Sequence, residues 1–267
     1  TIDVTDVFSD EDYEDATITM DLFFSEYAEG SSNNKYMEIY NPTNATISLD
    51  TYAFPNVTNG PDVVGEYDFW NAFPGGATIA SKSTYVIAHS SADAQILALA
   101  DHNVTGSSAL SNGDDGFKLV KGGTFSDANT NGNVDAGEMT GFAVLDVIGD
   151  WQADPGTSWA VAGDSTGTRD QTLVRKSTVL VGNSDWTSAA GTNATDSEWI
   201  VNAKDDWTNL GFHRFAISAV SSDPSLVTVT VTENTLTLDY QADQNGTATV
   251  TVTATSNGQT VDDVFTV

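Results

Sequence analysis

Apolar and polar positions alternate along most of this chain in short runs, each closed by Gly, Asn, Asp or Ser. Tyr85-Val86-Ile87-Ala88, Phe117-Lys118-Leu119-Val120, Val144-Leu145-Asp146-Val147-Ile148 and Leu173-Val174-Arg175-Lys176 have the length and the β-branched or aromatic content of strands. The stretch from Phe24 to Asn41 reads as an apolar strand, a polar tight loop around Gly30-Ser31-Ser32-Asn33-Asn34, and a second strand. In that second strand Met37 and Ile39 point one way and Glu38 and Tyr40 the other, the period of a half-buried strand. Helical periodicity is nearly absent. The exception is Ser91 to Ala100, which suits a short helix capped by Ser91 or Asp93. Many short strands punctuated by turn residues predict an all-β chain of the sandwich kind.

The pattern changes near residue 215. From Ala216 onward there is no Lys or Arg, and Thr alternates with Val in Val227-Thr228-Val229-Thr230-Val231-Thr232 and in Thr249-Val250-Thr251-Val252-Thr253. The first twenty residues share that bias, with acids, no base, and Ile2, Val4 and Ile18 in Thr-rich company. Residues 216–267 supply about four or five strands, short of the roughly seven of a minimal immunoglobulin-like sandwich; residues 1–20 are placed to supply the rest. The expectation is therefore two immunoglobulin-like β-sandwiches, with an inner one at 21–215 inserted into a split outer one made of 1–20 plus 216–267. The alternative is a sequential arrangement with 1–20 as a linker.

Several segments carry a family resemblance. Phe24 to Asn41, Ile87-Ala88-His89-Ser90-Ser91-Ala92-Asp93, Ser111-Asn112-Gly113-Asp114-Asp115-Gly116 and Asp146-Val147-Ile148-Gly149-Asp150 form an ordered set with Thr172 to Lys176, Glu198-Trp199 and Asn209-Leu210-Gly211-Phe212-His213. Together they resemble the bacterial lamin tail domain, an immunoglobulin-like sandwich of secreted and surface proteins. Thr1 to Asp10, Ser222 to Val227 and Asn245 to Val250 are similar to the immunoglobulin-like or cadherin-like repeats of large bacterial surface proteins. The first resemblance implies a fold and an extracellular or cell-surface setting, and supplies no active site. The departure from it is a long insertion around 122–141.

Charge narrows the partners. The 267 residues carry a formal net charge of −29 with nine Lys and Arg. Such a polyanion repels phosphate backbones and anionic lipid surfaces, and attracts divalent cations. Nucleic acid is therefore not an expected partner, nor is membrane insertion, since no apolar run approaches the roughly 20 residues of a span. The absence of Cys excludes disulfides, thiolate metal sites and cysteine nucleophiles. No signal peptide precedes Thr1, so the chain reads as a mature fragment or a piece of something longer.

One motif has explicit chemistry. Asp127-Ala128-Asn129-Thr130-Asn131-Gly132-Asn133-Val134-Asp135-Ala136-Gly137-Glu138 matches the twelve-residue calcium loop, with Asp at its first place, Asn at the third and fifth, Gly at the sixth and Glu at the twelfth. Asp127, Asn129, Asn131 and Glu138 would ligate through side chains, Asn133 through its carbonyl and Asp135 through water; Val134 would anchor the loop to its core. A hard cation needs six to eight oxygens from a chain able to wrap it. Chance produces such a match on the order of once in several hundred chains of this length. Strand-like flanks make it an EF-hand-like loop between strands. Its three carboxylates suit a Ca2+ site of modest affinity, at about millimolar levels. A second acidic cluster, with Asp10, Asp12 and Asp15, is the other candidate cation site.

Enzymatic signals are weak. His89, His102 and His213 are the three histidines, with no Gly-x-Ser-x-Gly elbow and no zinc spacing; His89 and His213 fall in the family-like segments and read as satisfied structural groups. No two of the 38 acids stand out as a catalytic pair, and the paired glycines are turns. The tryptophans read as core residues. The sequons at Asn44, Asn56, Asn103, Asn193 and Asn245 are about as many as chance supplies in such a chain. The expected function is a non-catalytic, calcium-stabilised structural or adhesive module of a large bacterial surface or filament protein, partnered by neighbouring repeats or other subunits. Two alternatives stand beside it: a glycan- or protein-recognition domain, and an accessory domain of a secreted hydrolase or nuclease.

Overall fold

The computed structural model describes residues 2–3, 20–61, 63–105, 110, 112–130, 135, 137–213, 216–232, 235–256 and 259–267. The chain divides into two compact units, Met20–His213 and the pair of segments Thr1–Thr19 and Arg214–Val267. In chain order the elements begin with β1 (Ile2–Asp3), β2 (Phe23–Glu29), β3 (Lys35–Tyr40), β4 (Ile47–Ser48), β5 (Tyr52–Ala53), β6 (Asn56–Val57) and β7 (Thr78–Ile79). They continue with β8 (Thr84–His89), α1 (Ala94–Leu97), β9 (His102–Val104), β10 (Gly116–Phe125), β11 (Met139–Ile148), β12 (Gln171–Arg175), α2 (Trp186–Ala190) and β13 (Trp199–Ala203). The last five are β14 (Ala216–Ser221), β15 (Val227–Thr232), β16 (Thr235–Tyr240), β17 (Thr249–Ser256) and β18 (Gln259–Thr266).

The unit Met20–His213 contains a six-stranded sheet in the order β13-β12-β2-β3-β8-β9, antiparallel except for the parallel β8–β9 pair. A second sheet runs β11-β10-β5, with β6 also paired to β10, and β4 and β7 form a two-stranded ribbon. Alternation explains why these strands bury one face together. Phe24, Tyr27, Met37, Ile39, Ile87 and Leu173 from the large sheet meet Phe117, Leu119, Val147 and Ile148 from β10 and β11 in one buried cluster. Each such side chain contributes about 1.5–3 kcal/mol on full burial. Trp159, Trp186 and Trp199 close the same core.

The opposite face of the large sheet is also covered, and there the alternation of β3 misleads. Ala28, Tyr36, Val86 and Ala88 pack beneath Ile96 of α1 and Leu210. Glu38, expected on a solvated face, is fully buried. The reason is tertiary: a period of two separates the faces of a strand and does not say whether the second face finds a cover. The helix expected within Ser91 to Ala100 is a single turn, capped by Asp93, whose Oδ1 accepts the Gln95 N–H (2.9 Å).

The other unit holds two three-stranded sheets, β1-β16-β15 and β14-β17-β18. Ile2 pairs with Leu236 and Asp3 with Thr235, so the first described residues share a sheet with the C-terminal segment. Leu236, Val250 and Val252 are its buried centre, with Ile217, Val229, Val231, Leu238 and Phe265 packed against them. Among the described residues no helix is long and apolar enough to cross a membrane.

Candidate metal centre

β10 and β11 form a hairpin whose last pairs are Thr124 with Thr140 and Phe125 with Met139. Beyond them the Ser126 N–H donates to the Glu138 carbonyl (3.0 Å), which extends the pairing to the two ends of the motif. The strands thus run further into the 122–141 insertion than its composition suggests. Gly123, at φ 82°, explains part of its glycine content: a Cβ there would lie 2.8 Å from the Cβ of Phe142.

Of the expected ligands, Asp127, Asn129, Asp135 and Glu138 are described, while Asn131 and Asn133 lie outside the described residues, as do Gly132 and Val134. Glu138 organises what is described. Its Oε1 accepts from the backbone N–H of Ala128 (2.8 Å) and Asn129 (3.4 Å), and its Oε2 from that of Asp135 (3.0 Å). The Asn129 side-chain amide donates to Asp135 Oδ2. Gly137 at φ 91° and Thr130 at φ 58° supply the left-handed backbone that folds the ends together. The donor set fits a hard cation in kind, since every expected ligand offers oxygen. Its placement is that of a loop closed by its own hydrogen bonds. Among the described residues, no group of three or more His, Asp or Glu side chains is placed to hold a metal ion. Asp10, Asp12 and Asp15 lie outside the described residues.

The histidines are separated in role. His89 Nδ1 accepts the Ser91 N–H (3.1 Å) in the turn after β8. Burial lowers the pKa of His102. His213 lies against the rings of Phe23 (5.5 Å) and Tyr40 (4.8 Å), and burial, with Arg175 nearby, pushes it down to about 4. Its Nε2 has no hydrogen-bond partner among the described residues, so the expectation of a satisfied histidine fails at that atom.

Two buried polar constellations escaped the sequence reading. Asp146 of β11 pairs with Arg175 of β12, and both side chains are fully buried. Asp146 also accepts the backbone N–H of Phe24 (2.8 Å), Val147 (3.0 Å) and Asn183 (3.0 Å). Arg175 reaches Glu198 (3.0 Å) and lies 4.2 Å over the Trp199 ring. The second constellation is Glu26 and Glu38, directly opposite each other on β2 and β3. An Arg inside the apolar run Leu173-Val174-Arg175, in a chain with so few bases, was the available signal for the first; nothing in the local sequence announces the second.

Comparison with known families bears on the strands that carry these residues. Residues 16–135 match the lamin tail domain. The match to this family model takes in β2 to β10 and stops inside the loop, before Glu138. The lamin-tail match and the all-β architecture agree on an immunoglobulin-like fold for this region. That family is a structural domain family and not typically catalytic. No curated protein and no solved structure matches the chain.

Proposed function

We propose that this chain is a non-catalytic, calcium-stabilised module of a large extracellular bacterial protein. In it a lamin-tail-like sandwich is inserted into a split immunoglobulin- or cadherin-like sandwich, and the partners are neighbouring repeats or other subunits. The observation that carries the calcium part is the end of the β10–β11 hairpin, where an oxygen-rich twelve-residue motif straddles the end of the lamin-tail match and Glu138 accepts from the backbone N–H of Ala128 and Asp135. The insertion is supported by the pairing of β1 with β16. The net charge of −29 favours cations over nucleic acid or anionic lipid. Burial of Trp151, Trp159, Trp186 and Trp199 removes four rings from any sugar-stacking role and weighs against the glycan reading.

The test is calcium titration by calorimetry and thermal melting, on the intact chain and on an Asp127→Ala, Glu138→Ala variant. Free calcium about 100-fold above its dissociation constant stabilises the bound state by about 2.7 kcal/mol, a rise of roughly 5–10 °C for a unit of this size. Loss of that rise in the variant supports the reading. Binding without a change in melting removes the structural role, and no binding at millimolar calcium removes the ion.

A further inference from the structure

We propose that the Glu26–Glu38 pair is a proton-dependent latch holding the segment Asp206–His213 on the outer face of the six-stranded sheet. The pair is built by register: Glu26 on β2 stands directly opposite Glu38 on β3, so both carboxyls leave the sheet on the same side. That side is dry, with Glu26 1% and Glu38 0% exposed. Glu38 accepts from Ser25 Oγ at Oε1 (2.6 Å) and from the Gly211 N–H at Oε2 (2.6 Å). The second bond ties the covering segment to the sheet. Gly211 sits at φ 92°, where L side chains are strained, so the donor depends on glycine. Leu210 completes the cover by packing on Ala28, Tyr36, Val86 and Ala88.

Glu26 is less well served. Its Oε1 accepts from the Tyr36 hydroxyl, and its Oε2 is buried with no partner among the described residues. A bare carboxylate oxygen in such a site is costly, whereas a protonated carboxyl is tolerated. The surroundings reinforce this. Glu38 and Asp206 bear on Glu26, and Asp101 bears on Glu38, all raising the affinity for protons. Opposing them, the hydrogen bonds from Tyr36 on β3 to Glu26, and from Ser25 on β2, Thr84 on β8 and the Gly211 amide to Glu38, favour the charged forms, and burial outweighs them. Thr172 on β12 faces the Tyr36 phenol, and His213, at the end of the segment, is held largely neutral above about pH 4.

Burial first, then the neighbouring acid, lifts Glu26 well above an ordinary carboxyl; burial lifts Glu38 from 4.5 to about 7. A group raised in this way stabilises the docked state fully below its unfolded value. That contribution fades as pH climbs through the folded value. For Glu38 alone the window is 4.5 to about 7. The equilibrium for opening the segment then rises roughly 30-fold between pH 5.5 and 8.

Hydrogen exchange on the intact chain reads this directly, with the rates of the Leu210, Gly211 and Phe212 amides divided by their intrinsic rates at each pH. The expected result is the roughly 30-fold rise in the wild type, and near-constant opening in a Glu26→Gln, Glu38→Gln variant. A flat wild-type profile, or an unchanged profile in the variant, overturns the latch. Should the variant fail to fold, carboxyl carbon NMR of the wild type decides. Glu38 titrating near 7 as the Gly211 amide loses protection supports the proposal; Glu26 and Glu38 titrating near 4.5 overturns it.

Discussion

The two units bury their interiors by different means. The unit Met20–His213 sinks an ion pair, a carboxyl pair, Asn41, Asn56 and Asp115 among its aromatic residues. The unit containing Arg214–Val267 centres on Leu236, Val250 and Val252 and includes no Trp. In the second, Thr alternates with Val along β15 and the first part of β17, so period two sorts those side chains between faces and register follows. In the first, several backbone N–H groups that no ladder satisfies are met by buried acids, as at Asp146 and Asp115. The difference teaches that a Thr/Val unit is specified by pattern, while the larger unit is specified by particular polar pairs that pattern does not reveal.

The sharpest way to break that comparison is Asp146→Ala. It leaves the Arg175 guanidinium buried beside Trp199 without its fully buried partner, and strips an acceptor from Phe24, Val147 and Asn183. Removing one member of a buried pair costs about 3–5 kcal/mol. Urea unfolding followed by tryptophan fluorescence should record a loss of that size in the transition of the Trp-containing unit. A loss below about 1 kcal/mol, the level of an exposed pair, would show that the larger unit does not rely on its polar pairs.

How far the sequence discloses each unit follows from the same contrast. The strands at Tyr85–Ala88, Phe117–Val120 and Val144–Ile148 are legible because they are short runs rich in β-branched and aromatic residues, and each lies inside an observed strand. Residues 216–267, read as about four or five strands from the alternation of Thr and Val, hold β14 to β18. The motif at 127–138 stands out in the sequence because it is local, with its candidate oxygens a fixed number of residues apart, and the calcium titration tests it. Arg175 and Asp146 are 29 residues apart, and Gly211 is 173 residues from Glu38. Local pattern has no reach over such distances, so Glu38 reads as a solvent-facing residue until the covering segment is in place.

A smaller effect belongs to the pattern-built unit. Leu236 is fully buried on β16, opposite Val231 of β15 and Ile2 of β1. Leu236→Ala should cost about 2–3 kcal/mol, near the low end for core leucines because, beyond Val250 and Val252, the cluster around it is only partly buried and the site can relax. Two-dimensional NMR through a denaturant series should show the loss in signals from residues 216–267, with those of Met20–His213 shifting midpoint by much less. Equal shifts in both sets would mean that the units unfold as one.

The smallest effect sharpens the comparison from the other side. Thr253 on β17 lies opposite Asp262 on β18, and its hydroxyl donates to Asp262 Oδ1 (2.6 Å) in an exposed cross-strand pair. It resembles the pair of Ser25 and Glu38, a hydroxyl donating to a carboxyl at the same distance, with water in place of a covering segment. Solvent competes for both groups, so Asp262→Ala should change stability by about 0.2–1 kcal/mol, whereas Glu38→Ala would leave Ser25 and the Gly211 N–H buried without their acceptor. If calorimetry on the two variants gave equal losses, burial would not be what distinguishes polar pairs in this chain. The division between a pattern-built and a pair-built unit would then have no energetic basis.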